Sequence, residues 1–272
     1  MSAPPSLRAR LAGGAPLLAT FNLLPSPEVV ELIALAGFDL VIIDLEHGPH
    51  DLADLRRALT AAAGHGLPTL VRVRTAAAAE IGAVLDLGAS GVLVPHVESA
   101  AAAAAVVRAA RFSPEGERGA NPWVRAAGYG TREGWFAAAN AEVAVLVMVE
   151  GPGALAELGE IVALPGLDGI FLGPMDLSHA LGVPGRHDHP TVVDALRGAL
   201  RLAGDSGVAA GLFAPEPGAA RAWWQLGARL VAVGVDAGLI RAALTATVTA
   251  ARAAEGHAVT SPSVPPRPRA VR

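Results

Sequence analysis

The sequence contains neither cysteine nor lysine. Without cysteine, the chain cannot form disulfides, use a thiolate nucleophile or bind zinc or iron–sulfur clusters through sulfur. Without lysine, it cannot form a Schiff base with a carbonyl substrate, anchor pyridoxal phosphate or supply the lysine of a Walker-type phosphate loop. The two absences therefore exclude several large classes of enzyme mechanism.

Aromatic residues and positive charge are also scarce. Aromatic side chains make up 4% of the 272 residues and the formal net charge is −4, which argues against a nucleic-acid partner. The longest apolar runs, Ala100–Val107 and Val143–Val149, are far shorter than the about 20 residues of a membrane span. Arg8 and Arg10 precede the apolar stretch Leu11–Leu24, but Gly, Pro and Asn residues interrupt that stretch, so we expect a buried strand there and not a signal peptide. We expect a cytoplasmic protein with no nucleic-acid and no membrane partner.

Short apolar runs alternate with alanine-rich segments of helical period along most of the chain. The runs show little polar alternation, which is typical of strands buried on both faces. The predicted strands are Leu17–Phe21, Leu40–Ile43, Thr69–Val73, Gly91–Val94, Val143–Val149, Gly169–Leu172, Val208–Phe213 and Arg229–Val233. The predicted helices are Pro27–Ala36, Leu52–Ala63, Ala78–Leu87, Ser99–Ala110, Pro152–Ala163, Thr191–Ala203, Pro217–Leu226 and Gly238–Ala253.

Eight strands that alternate with eight helices predict either a barrel or a large doubly wound sheet. A helix end, a glycine and a buried strand recur as one unit, and no glycine-rich dinucleotide fingerprint follows a strand. We therefore predict an α/β fold, a parallel eight-stranded (β/α)8 TIM barrel, as a single domain over residues 1–255.

Two segments depart from this pattern. Phe112–Trp135 is a long connection rich in glycine and arginine, which is typical of a functional loop or an interface. The residues 256–272 are rich in proline, and arginine is their only charged residue type, so we expect a tail that is disordered or that lies as an arm on a neighbouring subunit.

Polar residues follow the predicted strands at the ends that meet on one face of a barrel. Active sites of such barrels are built at the carboxyl ends of the strands. The residues concerned are Asp44, Glu46 and His47 after strand two, Arg72 in strand three, His96 after strand four, Glu150 after strand five, and Gly173, Met175 and Asp176 after strand six. Their concentration on one face predicts the active site more strongly than any one of them alone.

Glu150 and Asp176 form a pair of carboxylates on adjacent strands. Taken singly, Glu150 is an ordinary solvated carboxylate at a strand end, and Asp176 is an ordinary helix N-cap. Together they are the oxygen ligands that Mg²⁺ or Mn²⁺ prefers, completed by waters and a chelating substrate. The pair therefore indicates a divalent cation site.

His47 and Arg72 each allow two interpretations. His47 lies three residues after Asp44 and is either a base held by that carboxylate or a loop histidine bonded to the backbone. Arg72 lies in an apolar strand and needs an anionic partner, which is either a structural carboxylate or a substrate oxyanion. We expect His96 to line the site without taking part in catalysis.

Six segments of the chain together resemble a known family. In order, they are GFDLVIIDLEHGPHD, LPTLVRVR, LDLGASGVLVPHVESA, VLVMVE, DGIFLGPMDLS and ARLVAVGVD. In this order and spacing they resemble the HpcH/HpaI aldolases, which are class II pyruvate aldolases, from about Pro16 to Ala253. The single fragments are moderately specific, and the ordered set is highly specific.

The resemblance implies a role for each matching residue. Glu150 and Asp176 match the two metal-ligating carboxylates. His47 matches the catalytic base, and Asp44 the carboxylate that orients it. Arg72 matches the arginine that binds the keto oxygen of pyruvate and stabilises its enolate.

Further roles concern the substrate. The backbone amides of Met175 and Asp176, next to Gly173, match the site of the substrate carboxylate, which the physics of a helix start also favours. Asp86 matches an acidic residue near the aldehyde entrance that often faces a neighbouring subunit. The resemblance also implies a homo-trimer or a homo-hexamer, in which the last helix packs on a neighbour.

The implied reaction is the reversible cleavage of 4-hydroxy-2-oxoacids to pyruvate, or a close 2-oxoacid such as hydroxypyruvate, and an aldehyde. Because the chain has no lysine, the electron sink must be a divalent metal, Mg²⁺, Mn²⁺ or Co²⁺. The alternatives are a CoA-thioester lyase of the citrate-lyase β-subunit or malyl-CoA type and an oxaloacetate decarboxylase. The absence of lysine and the net charge of −4 argue against the first, which would need basic surface for the CoA phosphates, and we expect the second as a side activity. His96 falls where some members carry an apolar residue, and Trp123 is bulky for its loop, so both put the identity of the aldehyde in doubt.

Overall fold

Eight parallel strands pair in sequence order and close into a barrel, with β8 against β1, in the computed structural model, which describes residues 4–254. The strands are β1 (Leu17–Asn22), β2 (Leu40–Asp44), β3 (Thr69–Arg72), β4 (Gly91–Val94), β5 (Ala144–Val149), β6 (Gly169–Leu172), β7 (Ala209–Ala214) and β8 (Leu230–Val235). The predicted (β/α)8 barrel is confirmed, and each predicted strand is present to within one or two residues at its ends.

Helices connect successive strands of the described chain. They are α1 (Leu7–Ala12), α2 (Pro27–Leu35), α3 (Leu52–Gly64), α4 (Ala78–Asp86), α5 (Ala100–Ala110), a 3₁₀ helix (Arg125–Gly130), α6 (Trp135–Glu142), α7 (Pro152–Ala156), α8 (Leu158–Val162), α9 (Pro174–Ala180), α10 (Pro190–Asp205), α11 (Ala219–Gln225) and α12 (Asp236–Ala254).

Each strand divides its side chains between two apolar layers. In β2, Leu40 and Ile42 pack in the barrel interior, whereas Val41 and Ile43 pack between the strands and the helices. Successive side chains of a strand point to opposite faces, and here both faces are covered. Continuous apolar runs in the sequence are the direct result.

Helix α1 was not predicted from the sequence. Ser6 caps it by accepting a hydrogen bond from the Ala9 N–H at 3.2 Å, and its apolar side chains Leu7 and Leu11 are buried with the barrel interior. The residues Leu7–Ala12 are therefore part of the folded barrel. This extends the expectation that the N-terminal apolar stretch is structural.

Two connections differ from the prediction. A single helix over Pro152–Ala163 is wrong, because the chain leaves helical geometry at Glu157 (φ −101°, ψ 15°) and forms α7 and α8. The Glu157 carboxylate accepts the Ala100 N–H at 2.8 Å, so it fixes the start of α5. The long connection Phe112–Trp135 contains the 3₁₀ helix and leads directly into α6.

The described chain divides into two compact units, one that ends at Asp236 and one that begins at Ala237. The second unit contains most of α12, and the packing of this helix on a neighbouring subunit stays a prediction. The predicted tail, residues 256–272, lies outside the described residues. Within residues 4–254, no helix has the length and apolar character needed to cross a membrane.

A buried arginine, Arg111, forms an ion cluster that joins several connections at the amino-terminal end of the barrel. Arg111 is 1% exposed, and its guanidinium donates to the Asp168 carboxylate at 2.7 Å and to the carbonyl oxygen of Val143 at 2.7 Å. Arg8 of α1 donates to the other oxygen of Asp168 at 2.6 Å. The ion cluster thus joins α1, the end of α5 and the connection before β6.

Replacement of Arg111 by methionine should lower the free energy of unfolding by about 3–5 kcal/mol, because it leaves a buried carboxylate short of a partner. Arg197→Met is the matched control, since Arg197 makes a 3.9 Å contact with Asp194 at the surface and such pairs contribute about 0–1 kcal/mol. Urea unfolding followed by circular dichroism measures both. Equal losses in the two variants would show that the buried cluster contributes no more than a surface pair.

Candidate active site

The carboxyl ends of three strands direct charged side chains into the mouth of the barrel. In β2, β3 and β5, the last interior-facing apolar residues are Ile42, Leu70 and Met148. Because side chains alternate along a strand, the residues two positions later also face inward. These residues are Asp44, Arg72 and Glu150.

A cavity of about 210 Å³ opens among these strand ends. Its polar lining is Asp44, His47, Arg72 and Asp176. Its apolar lining includes three phenylalanines, and the Phe21 ring lies 6.0 Å from each of the rings of Phe171 and Phe213. The cavity therefore combines a charged wall with an aromatic one, a mixture that is typical of pockets for small molecules.

Arg72 is held between two carboxylates. Its Nε and Nη2 donate to the two oxygens of Asp44 at 2.9 and 2.6 Å, and its Nη1 lies 3.0 Å from a Glu46 oxygen. Its guanidinium also lies over the ring of Phe21, 5.0 Å from the centroid. The structure thus gives Arg72 a carboxylate partner and also places it on the cavity wall, so the two interpretations of this residue are compatible.

The sequence led us to expect that Asp44 orients the His47 ring, but no hydrogen bond joins these two side chains. Its oxygens are taken by Arg72 and by the backbone N–H groups of Glu46 and His47, at 3.0 and 3.3 Å. The His47 side chain is 67% exposed, and its Nε2 lies 3.8 Å from a Glu46 oxygen. Asp44 therefore orients the arginine and the loop backbone, because a fully buried carboxylate binds the charge and the N–H groups nearest to it.

Glu150 and Asp176 each place one carboxylate oxygen beside Gly173. A Cβ atom on Gly173 would lie 3.4 Å from Glu150 Oε2 and 3.4 Å from Asp176 Oδ2. Glycine therefore leaves room beside two oxygen donors, and this arrangement fits a hard divalent cation that also binds waters and substrate. The pKa of Glu150 is raised, because burial has a larger effect than the hydrogen bond from the His96 backbone N–H, which lowers this pKa. Within residues 4–254, no group of three or more His, Asp or Glu side chains is placed to hold a metal ion.

Helix α9 begins directly at the cavity. Gly173 is its N-cap, Pro174 is its first residue, and the first helical hydrogen bond runs from the Leu177 N–H to the Gly173 carbonyl at 2.9 Å. The N–H groups of Met175 and Asp176 precede that bond, as the first N–H groups of every helix do. Their binding of a substrate carboxylate stays a prediction.

Two residues of the site, Glu46 and His96, make contacts that the sequence did not predict. Glu46 links the site, because one of its oxygens lies 2.8 Å from His96 Nε2 and the other 3.0 Å from Arg72 Nη1. His96, expected only to line the site, contacts Glu150 through both its backbone and its ring. Glu46 stands two positions after Asp44 at the end of a strand, and this spacing could have identified it as a site residue.

Asp86 lies away from this cavity, at the end of α4. Its carboxylate accepts a hydrogen bond from Arg118 at 2.6 Å, and the Arg118 guanidinium lies over the Phe112 ring at 4.4 Å. The pKa of Arg118 is lowered, because burial has a larger effect than the Asp86 carboxylate, which raises this pKa. Both residues line a separate surface groove of about 610 Å³. The structure of one chain therefore does not bring Asp86 together with the other predicted residues.

A sequence model of the HpcH/HpaI aldolase/citrate lyase family matches residues 18–243. The chain belongs to this family. The predicted family, and with it the prediction of a carbon–carbon lyase, is confirmed.

Several members of the HpcH/HpaI family are similar over most of their length. A hydroxypyruvate/pyruvate aldolase from Paraburkholderia phytofirmans is 38% identical over 236 residues, which cover 85% of this chain and 91% of the relative. A 5-keto-4-deoxy-D-glucarate aldolase from Klebsiella pneumoniae is 37% identical over 240 residues, covering 88% and 94%. The crystal structure of a family protein from Burkholderia cenocepacia superimposes with a TM-score of 0.87 at 38% identity, covering 90% of this chain and 98% of the other.

Proposed function

We propose that this HpcH/HpaI family member is a divalent-metal-dependent aldolase. It cleaves 4-hydroxy-2-oxoacids to pyruvate or hydroxypyruvate and an aldehyde, and it catalyses the reverse addition. The observation that carries the proposal is that Glu150 Oε2 and Asp176 Oδ2 both lie beside Gly173, which lines the same cavity as Arg72. The names of the aldolase relatives support the substrate class.

Glu150 and Asp176 would hold Mg²⁺, Mn²⁺ or Co²⁺. When bound, such an ion would supply Lewis-acid stabilisation of the negative charge that develops on the ketone oxygen of a 2-oxoacid. Because the chain has no lysine, it cannot use an iminium for the same purpose. Any side chain larger than hydrogen at Gly173 would compete for the space beside the two oxygens.

Arg72 supplies a fixed positive charge to the same oxygen. Asp44 binds Nε and Nη2 of the guanidinium and Glu46 lies beside Nη1, so the two carboxylates fix the guanidinium on the cavity wall. A planar donor that is already oriented stabilises an enolate oxygen without reorganisation during the reaction. The backbone N–H groups of Met175 and Asp176 hold the substrate carboxylate and thereby fix the position of the ketone relative to Arg72.

His47 removes and returns the proton. Its imidazole lies on the cavity wall and is exposed enough to exchange protons with solvent. The backbone of its loop is fixed, because the Asp44 carboxylate accepts the His47 backbone N–H. A histidine in this position takes the proton of the 4-hydroxyl during cleavage and protonates the enolate carbon of the pyruvate half afterwards.

One assay tests the proposal. Pyruvate or hydroxypyruvate release is measured from a panel of 4-hydroxy-2-oxoacids, before and after treatment with EDTA. We expect cleavage of several panel members, with loss of activity after EDTA. Failure to release a 2-oxoacid from any of them in the presence of Mg²⁺, Mn²⁺ or Co²⁺ would overturn the proposal.

We also propose that Asp86 contributes to a site shared between subunits, in a homo-trimer or homo-hexamer. Asp86 lies outside the cavity of its own chain, and Leu32, Leu35 and Trp123 are large apolar side chains exposed at the surface of the same compact unit. Association of copies would remove such side chains from water. We expect light scattering at micromolar concentration to give a trimeric or hexameric mass, and a monomeric mass would contradict the assignment.

A further inference from the structure

His96 has a backbone conformation that its place in the strand pattern does not predict. Val92 and Val94 of β4 pack between the strands and the helices, and an extended residue 96 would face the same layer. Instead, His96 has φ +56°, in the left-handed region, and only Tyr129 shares a positive φ among the non-glycine residues that the structure describes. A histidine in this conformation is strained, and it persists only where its surroundings hold it there.

The contacts of His96 account for this conformation. The left-handed turn directs its backbone N–H at Glu150 Oε1, 2.7 Å away. Its ring lies against the same carboxylate, with Nδ1 3.2 Å from Oε1, while Nε2 lies 2.8 Å from a Glu46 oxygen. One oxygen of Glu150 is therefore fully engaged by His96.

The engagement of Oε1 determines where the other oxygen of Glu150 points. With Oε1 held by the backbone N–H, Oε2 faces the open space at Gly173 that Asp176 Oδ2 also faces. An unrestrained glutamate would lose side-chain entropy on binding a cation, and a fixed one has already lost it. The hydrogen bond thus prepares Glu150 as a ligand.

We propose that His96 is a positioning residue for Glu150, and that its left-handed backbone N–H, more than its ring, prepares the carboxylate for a divalent cation. The inference rests on the proposed function, because it assigns Glu150 to the cation. Residues that orient a ligand typically change metal affinity or activity about 10–100-fold when they are replaced.

Substitutions at position 96 separate the backbone from the ring. His96→Gly removes the ring but adopts the left-handed conformation freely, and His96→Asn tolerates it well. His96→Val removes the ring and strongly disfavours the conformation, so its N–H turns away from Glu150. His96→Gly is therefore the matched control for the loss of the ring in His96→Val.

The readout is direct binding of Mn²⁺, measured from the electron paramagnetic resonance signal of the free ion, with Glu150→Gln included. We expect the dissociation constants of His96→Gly and His96→Asn to stay within about threefold of wild type, and that of His96→Val to rise about 10–100-fold. His96→Ala has a small Cβ and should lie between them, and it replaces His96→Val in the comparison if the latter does not fold.

Two results distinguish the possible failures. Equal affinity of His96→Gly and His96→Val, or of His96→Gly and His96→Ala if valine is not tolerated, would overturn the role of the backbone N–H, and an equal loss in both variants would assign the effect to the ring. Wild-type protein that fails to bind Mn²⁺, or binds it equally well as Glu150→Gln, would instead overturn the proposed function.

Discussion

Exhaustive chelation should abolish aldol cleavage, and added Mg²⁺, Mn²⁺ or Co²⁺ should restore it. The chain contains no lysine, so the electron pair of the broken carbon–carbon bond has no iminium to enter. A cation at Glu150 and Asp176 supplies several kcal/mol of charge stabilisation, and its loss should lower the rate by about 10³-fold or more. The measurement is 2-oxoacid release after EDTA treatment and desalting, with each metal then added back.

The chelated protein must remain folded for this result to be informative. Circular dichroism of the desalted protein provides the control, and we expect an unchanged spectrum because the barrel core is apolar and separate from the carboxylate pair. Treatment with borohydride and substrate should give no covalent adduct. Full activity after chelation, or a trapped adduct, would contradict the metal-dependent mechanism.

Arg72→Lys should lose nearly as much activity as Arg72→Ala. The guanidinium bonds Asp44 through two nitrogens while a third lies beside Glu46, and the single ammonium of lysine cannot occupy these positions at once. Removal of a donor to a developing oxyanion typically costs about 10²–10³ in rate. The measurement is kcat for cleavage, together with proton exchange at the methyl group of pyruvate, which needs no aldehyde.

Arg72→Lys is the more informative of the two substitutions. Arg72→Ala leaves the buried Asp44 without its cation and should also lose stability, by about 3–5 kcal/mol. Arg72→Lys keeps a positive charge beside Asp44, so its loss of activity reports on donor geometry and not on unfolding. Direct Mn²⁺ binding should be retained in it, since Glu150 and Asp176 are unchanged. Methyl proton exchange at the wild-type rate would make Arg72 a structural residue.

The barrel could be predicted because its physical requirements are local and repeated. Both faces of each strand are covered, so runs such as Leu40–Ile43 are continuously apolar, and helix starts carry their own capping residues. Ser26, for example, precedes Pro27 and accepts the Val29 N–H at 3.3 Å, as an N-cap should. The same alternation that makes the core also directs Asp44, Arg72 and Glu150 inward at the ends of their strands.

The sequence could not show interactions that depend on distant partners. Helix α1 is only six residues long and is held by burial against strands that follow it. The break at Glu157 arises because its carboxylate binds the start of another helix. Asp44 was expected to orient His47, yet it binds Arg72, 28 positions away in sequence and on the neighbouring strand. In each case, long-range contacts override the local pattern.

We propose that Glu150 and Asp176 would hold the cation that makes the methyl protons of a bound 2-oxoacid acidic. The most direct test is deuterium incorporation into the methyl group of pyruvate in D₂O, followed by proton NMR with Mg²⁺ and no aldehyde. The account predicts exchange with the wild-type protein, and none above the uncatalysed background with chelated protein, Glu150→Gln or Asp176→Asn. Exchange at the wild-type rate in either variant would contradict it.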